Sequence, residues 1–127
     1  MADTSFFVGL ETDRVAKAAI GDFDLGVSAV TLGELRLGVI GASTRDQPDV
    51  ASRRLATYQL ARRFDPLPID EDVSDAWALL VAQLRAQGRK APINDTWIAA
   101  TALAHGLPVV TQDTDYAGMP GLEVITV

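Results

Sequence analysis

Short apolar runs rich in β-branched residues alternate with longer helical patterns along this chain, and this alternation is the strongest constraint on its fold. Strand signals occur at 25–30 (LGVSAV), 64–69 (FDPLPI), 107–111 (LPVVT) and 122–127 (LEVITV). Helical patterns occur at 6–20, ending at Gly21, and at 31–39, 49–63, 72–87 and 94–104. Strands joined by helical crossovers predict an α/β domain with a mainly parallel sheet. Two prolines confine the 64–69 strand to an edge of that sheet or make the segment irregular.

The chain length predicts a single domain over 1–127, because 127 residues can bury a hydrophobic core that is stable without disulfides or structural metal ions. Residues 41–48 and 87–92 have the composition of short connections inside that domain. No basic-then-apolar leader and no apolar run of about 18 residues is present. We therefore expect a cytoplasmic protein that does not associate with a membrane.

Composition excludes several kinds of site. The chain has no cysteine and a single histidine, His105, so a disulfide scaffold, a thiolate nucleophile and a Cys- or His-rich zinc site are excluded. Seventeen acidic against 11 basic residues give a net charge of −6. This balance argues against a protein that coats nucleic-acid phosphates with a basic face.

Five carboxylates fall at strand-to-helix junctions or helix starts: Asp3, Glu34, Asp95, Asp113 and Asp115. Because the carboxyl ends of parallel strands share one edge of a sheet, we expect these acids to converge there. Converging carboxylates raise one another's pKa unless a cation intervenes. Oxygen ligands without His or Cys favour Mg²⁺ or Mn²⁺. Such ions suit phosphodiester hydrolysis, because they neutralise the phosphate, activate water and stabilise the leaving oxygen.

Each acid also has a structural explanation, and for any one acid alone that explanation is the stronger. Asp3 fits the cap of the first helix, and Thr31 with Glu34 fits a capping box. Asp95 fits a first-turn acid, and the 113–115 segment fits a turn. The expected convergence of separate loops on one sheet edge favours the metal site over four independent caps and turns.

Five segments together resemble a PIN domain, and more narrowly the VapC-type toxins of bacterial toxin–antitoxin pairs. They are DTS at 3–5, VSAVTLGEL at 27–35, NDTWIAATA at 94–102, LPVVTQDTDY at 107–116 and PGLEV at 120–124. Each segment alone is a weak signal, whereas their order and spacing together are specific.

The resemblance implies a Rossmann-like, three-layer α/β/α fold of the PIN type and a Mg²⁺- or Mn²⁺-dependent endoribonuclease that cuts single-stranded RNA. It also implies a homodimer and inhibition by a cognate antitoxin. The catalytic acids that it implies are Asp3, Glu34, Asp95 and Asp113. The metal ligands that it implies are Asp3, Asp95, Asp113 and Asp115, with Glu34 orienting the attacking water and Thr4 and Thr111 in support.

The resemblance departs from the family at one point, and two other classes of function stay open. Only Met1 and Ala2 precede Asp3, so the first strand, central in this fold, would have two residues and pair poorly. One alternative is a non-catalytic PIN-like scaffold whose acidic pocket binds a protein partner. A receiver-like phosphotransfer domain is disfavoured, because neither Lys17 nor Lys90 follows a strand.

Basic, aromatic and apolar groups outside the acidic set suggest contacts with substrate or partner. Arg89-Lys90 precedes Asp95 and could reach a phosphate. Trp77 and Trp97 lie in apolar helical stripes, which favours a core or dimer-interface role over base stacking. The apolar residues of 6–8 and 35–39 fit an antitoxin groove or core packing equally well.

Overall fold

Six helices and four very short strands make up the computed structural model, which describes residues 1–127. The helices are α1 (Thr4–Glu11), α2 (Ala19–Asp22), α3 (Ala29–Thr44), α4 (Pro48–Ala61), α5 (Glu71–Ala86) and α6 (Ile93–Ala104). The strands are β1 (Val27–Ser28), β2 (Pro66–Leu67), β3 (Val109–Thr111) and β4 (Val124–Thr126). No helix has both the length and the apolar character needed to cross a membrane.

The strands form one parallel sheet that is joined at its centre by a single residue. β1 pairs with β2, and β3 pairs with β4, both in parallel. Ala2 bridges the two pairs through parallel contacts with Val27 and Val110. The sheet order is therefore β2, β1, Ala2, β3, β4, with the proline-containing β2 at the predicted edge.

The expectation that a two-residue first strand would pair poorly is wrong. The Ala2 amide donates to the Gly26 carbonyl at 3.0 Å, and the Val110 amide donates to the Met1 carbonyl at 2.7 Å. The Asp3 amide donates to the Val110 carbonyl at 3.2 Å. Hydrogen bonds to both neighbouring strands compensate for the short length, and they fix Asp3 at the carboxyl edge of the sheet.

Two apolar clusters on opposite faces of the sheet give the three-layer α/β/α architecture. Successive β3 residues point to opposite faces, so Val109 joins one cluster and Val110 the other. The Val110 cluster packs against α1, α3 and α4, and includes Phe6, Phe7, Leu10, Leu35 and Ala61. The Val109 cluster packs against α5 and α6, and includes Leu80, Leu84, Ile98, Ala102 and Tyr116.

The predicted helix over 6–20 is wrong, because α1 ends at Glu11 and the chain turns back. Asp13 adopts a left-handed conformation with φ of 58°, which helical geometry does not allow. The amides of Arg14 and Val15 both donate to the Gly9 carbonyl, at 2.8 and 3.0 Å. This fold-back needs glycine at position 9, where a Cβ would lie 2.6 Å from Val15 Cγ2. Gly21 lies inside the short helix α2 and ends no long helix.

The boundary between the predicted strand 25–30 and helix 31–39 is also wrong. The Ser28 hydroxyl caps α3 by accepting a hydrogen bond from the Val30 amide at 3.1 Å, so the helix begins at Ala29. The capping box of Thr31 with Glu34 is therefore wrong, because both residues lie inside α3. The same helix continues to Thr44 and absorbs half of the predicted 41–48 connection.

The remaining helices and strands confirm the predicted elements, with shorter strands. In α4 the apolar side chain of Leu55 is exposed, and the helix buries Thr57 and Ala61 instead. The apolar side chains of 6–8 and 35–39 mostly enter the core, as the packing explanation predicted. Leu37 is the exception, since 70% of it is exposed.

Candidate functional site

Three carboxylates converge at the carboxyl edge of the sheet. Oxygen atoms of Asp95, Asp113 and Asp115 all lie within 4.8 Å of one another. Asp95 lies in the first turn of α6, and the other two follow β3 directly. Negative charges at such separations repel each other strongly unless a cation or a proton lies between them. The structure therefore brings together three of the five predicted acids.

Asp3 lies outside this three-carboxylate group but at the same edge, and 2% of it is exposed. Its Oδ1 accepts hydrogen bonds from the Phe6 amide at 3.0 Å and the Ser5 hydroxyl at 2.9 Å. Asp3 therefore caps α1, as its structural explanation predicted. Burial raises the pKa of the Asp3 carboxyl, and the negative charge of Asp113 raises that pKa further.

The Thr111 hydroxyl connects Asp3 to the acidic group. It donates to Asp3 Oδ2 at 2.7 Å and accepts from the Asp113 amide at 2.8 Å. Ser5 makes a parallel connection, because its hydroxyl accepts from the Gln112 amide at 2.9 Å. Both hydroxyls fix the chain that leaves β3 relative to the start of α1.

The surroundings of Asp95 shift its acidity strongly. Burial, together with the negative charges of Asp113, Asp115 and Glu34, raises the pKa of its carboxyl to about 6. The Tyr116 hydroxyl opposes the shift by donating to Asp95 Oδ1 at 3.3 Å. No side chain caps the start of α6, so Asp95 is held at the edge without serving as a cap.

Tyr116 is a neutral hydrogen-bond donor at this site. Its side chain is fully buried, and burial together with the nearby Asp3 and Asp95 charges raises the pKa of its phenol far above the usual value. The phenol therefore keeps its proton at every physiological pH, and it can always donate to Asp95.

Glu34 faces the acidic group from the second turn of α3. Its Oε1 accepts from the Thr4 hydroxyl at 2.5 Å, and its Oε2 accepts from Asn94 Nδ2 at 3.4 Å. Glu34 lies outside the three-carboxylate group, yet its charge raises the pKa of Asp95. Thr4, predicted as a supporting residue, contacts the site by holding Glu34.

The turn explanation for Asp113 is correct and compatible with its place in the acidic group. Its Oδ1 accepts a hydrogen bond from the Asp115 amide at 2.9 Å, which is the geometry of an Asx turn. That turn directs the Asp115 side chain back toward Asp95. Local structure and the acidic cluster therefore use the same residues.

Sequence reasoning missed the roles of Ser5, Asn94 and Tyr116. Each lies next to a predicted acid or in a quoted segment: Ser5 closes DTS, Asn94 precedes Asp95, and Tyr116 ends the 107–116 segment. Their hydrogen bonds join positions 21 to 107 residues apart. Their positions next to predicted acids marked these residues as candidates. Sequence position alone could not show which distant residues they hydrogen-bond.

The donor set fits a hard divalent cation. The ligands that the three-carboxylate cluster offers are all oxygen atoms, with no His or Cys among them. Burial and neighbouring negative charges raise the pKa of Asp95, so the protein itself compensates its ionised form only in part, through Tyr116. A cation of charge +2 would supply that compensation.

The fold and this acidic edge define a class of protein. The sequence model of the PIN domain family matches residues 1–122. The chain therefore belongs to the PIN-domain family.

Within that family the chain is similar in sequence to several VapC proteins. It is 60% identical over 127 residues to Ribonuclease VapC4 of Mycobacterium tuberculosis (strain ATCC 25618 / H37Rv), covering 100% of this chain and 95% of that protein. It is 41% identical over 128 residues to Ribonuclease VapC5 of the same strain, covering 98% and 93%. The chain is thus a VapC-type member of the family, as its sequence segments indicated.

Comparison with solved structures confirms the predicted fold. The crystal structure of VapBC-5 from Mycobacterium tuberculosis, a member of the VapBC family of toxin-antitoxin systems, matches with a TM-score of 0.82 at 39% identity. The match covers 99% of this chain and 96% of that chain. The PIN-type α/β/α arrangement therefore extends over nearly the whole sequence.

Proposed function

We propose that this protein, as a single PIN domain over 1–127, is the endoribonuclease toxin of a type II toxin–antitoxin pair. It hydrolyses phosphodiester bonds in single-stranded regions of RNA in the cytoplasm, and it depends on Mg²⁺ or Mn²⁺. The observation that carries the proposal is the group of carboxylates of Asp95, Asp113 and Asp115 within 4.8 Å. Support also comes from its similarity to proteins named ribonucleases VapC4 and VapC5.

The proposed metal ligands are Asp95, Asp113, Asp115 and Asp3. The first three offer close carboxylate oxygens, and Asp3 is held at the same edge by Thr111. When bound, the cation would neutralise the scissile phosphate, lower the pKa of the attacking water and stabilise the leaving oxygen. The catalytic acids in this proposal are Asp3, Glu34, Asp95 and Asp113.

Glu34 is proposed to orient the attacking water. Thr4 and Asn94 each donate a hydrogen bond to one of its two carboxylate oxygens. These bonds fix the orientation of the Glu34 carboxylate at the carboxyl edge of the sheet. A carboxylate in this position accepts a proton of the water as the oxygen attacks phosphorus. Tyr116 keeps Asp95 oriented throughout, because its phenol remains protonated.

The acidic composition is compatible with an RNA substrate. Five of the 17 acidic residues belong to the proposed site, and those that remain nearly balance the 11 basic ones. The surplus negative charge is therefore local, and a bound cation converts that region from repelling to attracting phosphate. Substrate binding is accordingly expected to be weak without metal.

A cognate antitoxin and a second copy of this chain are the proposed protein partners. The related VapBC-5 structure is of a toxin–antitoxin system. On the present chain, Leu37 and Ile40 of α3 are 70% and 47% exposed. A separate cleft of about 310 Å³ is lined by Gly38, Glu34 and Thr4, so a partner seated on that side of α3 could reach the acidic edge.

Cleavage of a panel of single-stranded RNAs by the purified full chain with Mg²⁺ tests the proposal. We expect Asp95→Asn to lower the cleavage rate by at least about 100-fold, since it removes a ligand charge at nearly constant shape. Asp24→Asn, which neutralises an exposed acid elsewhere, is the matched control and keeps the wild-type rate.

Two outcomes contradict the proposal. Cleavage that persists in Asp95→Asn, or in excess EDTA, would exclude the metal mechanism. Absence of cleavage with every RNA, together with metal-independent binding of a partner protein, would favour the non-catalytic scaffold.

A further inference from the structure

A cavity of about 320 Å³ lies beside the acidic edge, between the second half of α5 and the start of α6. Its walls include Trp77, Arg85, Arg89, Lys90, Ile93 and Thr96. Asp95 lies in sequence between the last two of these residues. The cavity therefore lies at the same end of α6 as Asp95.

Arg89 joins the cavity to the acidic edge directly. It lines the cavity, and its Nη2 donates to the main-chain carbonyl of Asp115 at 2.9 Å. Because the acceptor is an uncharged carbonyl, this hydrogen bond does not neutralise the positive charge of the Arg89 guanidinium. A cationic group is thus fixed between the cavity and a proposed metal ligand.

Trp77 gives the cavity an aromatic wall of fixed orientation. Its ring stacks on Trp97 with a centroid separation of 4.4 Å and an interplanar angle of 5°. Its Nε1 donates to the Thr96 hydroxyl at 2.9 Å. These contacts fix the tilt of the ring while leaving part of it to line the cavity. A ring fixed in advance is well suited to stacking with a base, because little entropy is lost on binding.

Charge distinguishes this cavity from the rest of the protein. Arg85, Arg89 and Lys90 bring three of the 11 basic residues to one wall of a chain with net charge −6. Arg and Lys side chains are the usual partners of phosphate oxygens. A second copy of this chain docked symmetrically here would bring like charges together, which disfavours that occupant.

We propose that this cavity is a nucleotide subsite for a residue of single-stranded RNA that flanks the scissile phosphate. The base stacks against Trp77, and the attached phosphate contacts Arg85 and Lys90. This inference rests on the proposed function, because it places the flanking nucleotide beside the acidic edge. The volume suits one nucleotide and excludes a duplex, which accounts for a preference for unpaired RNA.

Nucleoside monophosphates test the subsite apart from catalysis. The full-length protein in EDTA is titrated with AMP, GMP, CMP and UMP and with ribose 5-phosphate, and the indole N–H of Trp77 is followed by NMR. We expect saturable shifts at Trp77 and Ile93, and at least about fivefold tighter binding of one or more nucleotides than of ribose 5-phosphate. Absence of shifts at these residues, or equal affinity for the base-free probe, overturns the proposal.

Variants separate the stacking and phosphate contributions. Trp77→Leu is expected to weaken nucleotide binding about 5- to 150-fold, the range found when base stacking is removed. Because this change could also weaken packing on Trp97, the exposed pair Arg85→Gln and Lys90→Gln provides a second measurement. That pair is expected to weaken binding about tenfold. Lys17→Gln with Arg63→Gln removes two exposed cations elsewhere and should leave affinity unchanged.

Steady-state cleavage of a single-stranded RNA distinguishes failure of this subsite from failure of the proposed function. We expect the Arg85→Gln and Lys90→Gln pair to raise KM about tenfold with kcat nearly unchanged. Wild-type cleavage without nucleotide binding at Trp77 would overturn the subsite and leave the nuclease proposal standing. Nucleotide binding without cleavage of any RNA would overturn the nuclease proposal. If the double substitution instead dissociates a dimer in analytical ultracentrifugation and nucleotides do not bind, the cavity is a copy-to-copy interface and the subsite is overturned.

Discussion

Replacing Thr111 by valine removes one hydroxyl from the centre of the proposed site. Thr111 is fully buried, and valine has nearly the same shape, so the change acts mainly through hydrogen bonds. The hydroxyl donates to Asp3 Oδ2 at 2.7 Å and accepts from the Asp113 amide at 2.8 Å. Loss of a donor to a buried carboxylate costs about 1.5–3 kcal/mol, and an amide left without its partner adds about 1 kcal/mol. We expect a loss of about 2.5–4 kcal/mol in the free energy of unfolding.

Urea unfolding of the metal-free protein at pH 7 measures this loss, with Thr111→Ser as the matched control. Serine keeps the hydroxyl and loses one buried methyl group, which costs about 1 kcal/mol. Thr111→Val should therefore be less stable than Thr111→Ser by about 1 kcal/mol or more. The Thr111 bond lowers the pKa of Asp3, so its contribution is present when Asp3 is ionised and is lost as pH falls through the folded-state pKa. The stability gap between the two variants should narrow toward pH 4.

Two results would refute this reasoning. Equal urea midpoints for Thr111→Val and Thr111→Ser would show that the hydroxyl contributes no stability. A gap of the same size at pH 4 and pH 7 would show that the ionised Asp3 carboxyl is not the group that the hydroxyl stabilises.

Three further predictions concern acidity and packing. Metal-free protein should gain stability as pH falls from about 7 toward 4, because the folded-state pKa of Asp95, about 6, exceeds the usual 3.8 and the folded state takes up the proton first; urea midpoints across pH check the sign, and a loss over that range would contradict it. Glu34→Gln should lower the pKa of Asp95 in an NMR titration by removing a nearby negative charge, while cleavage slows; an unchanged pKa would show that the two groups do not interact. Gly9→Ala should cost about 1–3 kcal/mol in thermal unfolding, because its Cβ would lie 2.6 Å from Val15 Cγ2 and 2.8 Å from Gln112 Oε1; wild-type stability would show that the fold-back yields easily.

The sequence predicted the order of helices and strands better than their limits. Apolar periodicity identified α5 because this helix buries one stripe, which includes Val73, Leu80 and Leu84. The limits of β1 and α3 depend instead on a single side-chain bond from Ser28, and the end of α1 depends on contact between Gly9 and Val15. Periodicity carries no information on such contacts. The pairing of Ala2 with a strand on each side is likewise a tertiary effect. Met1 and Ala2 are too few residues to show the alternating pattern that predicts a strand.

The acidic site was predictable to the extent that sheet topology determines it. Asp113 and Asp115 follow a parallel strand, and Asp95 opens the neighbouring helix, so one edge collects all three. Asp3 was correctly predicted as the cap of α1, whereas its bonds to the hydroxyls of Ser5 and Thr111 were not predictable. The stacking of Trp77 on Trp97, and the cationic cavity beside them, also required the three-dimensional arrangement of α5 and α6.

The dependence of RNA cleavage on Mg²⁺ concentration, compared between wild type and Asp113→Asn, tests the central claim most directly. If Asp113 is a ligand in a metal-dependent ribonuclease site, wild-type cleavage rises from zero in EDTA to saturation. The variant should then need at least about tenfold more Mg²⁺ or show no cleavage, while Asp24→Asn follows the wild-type curve. Identical curves for wild type and Asp113→Asn, or cleavage without added metal, would contradict the account.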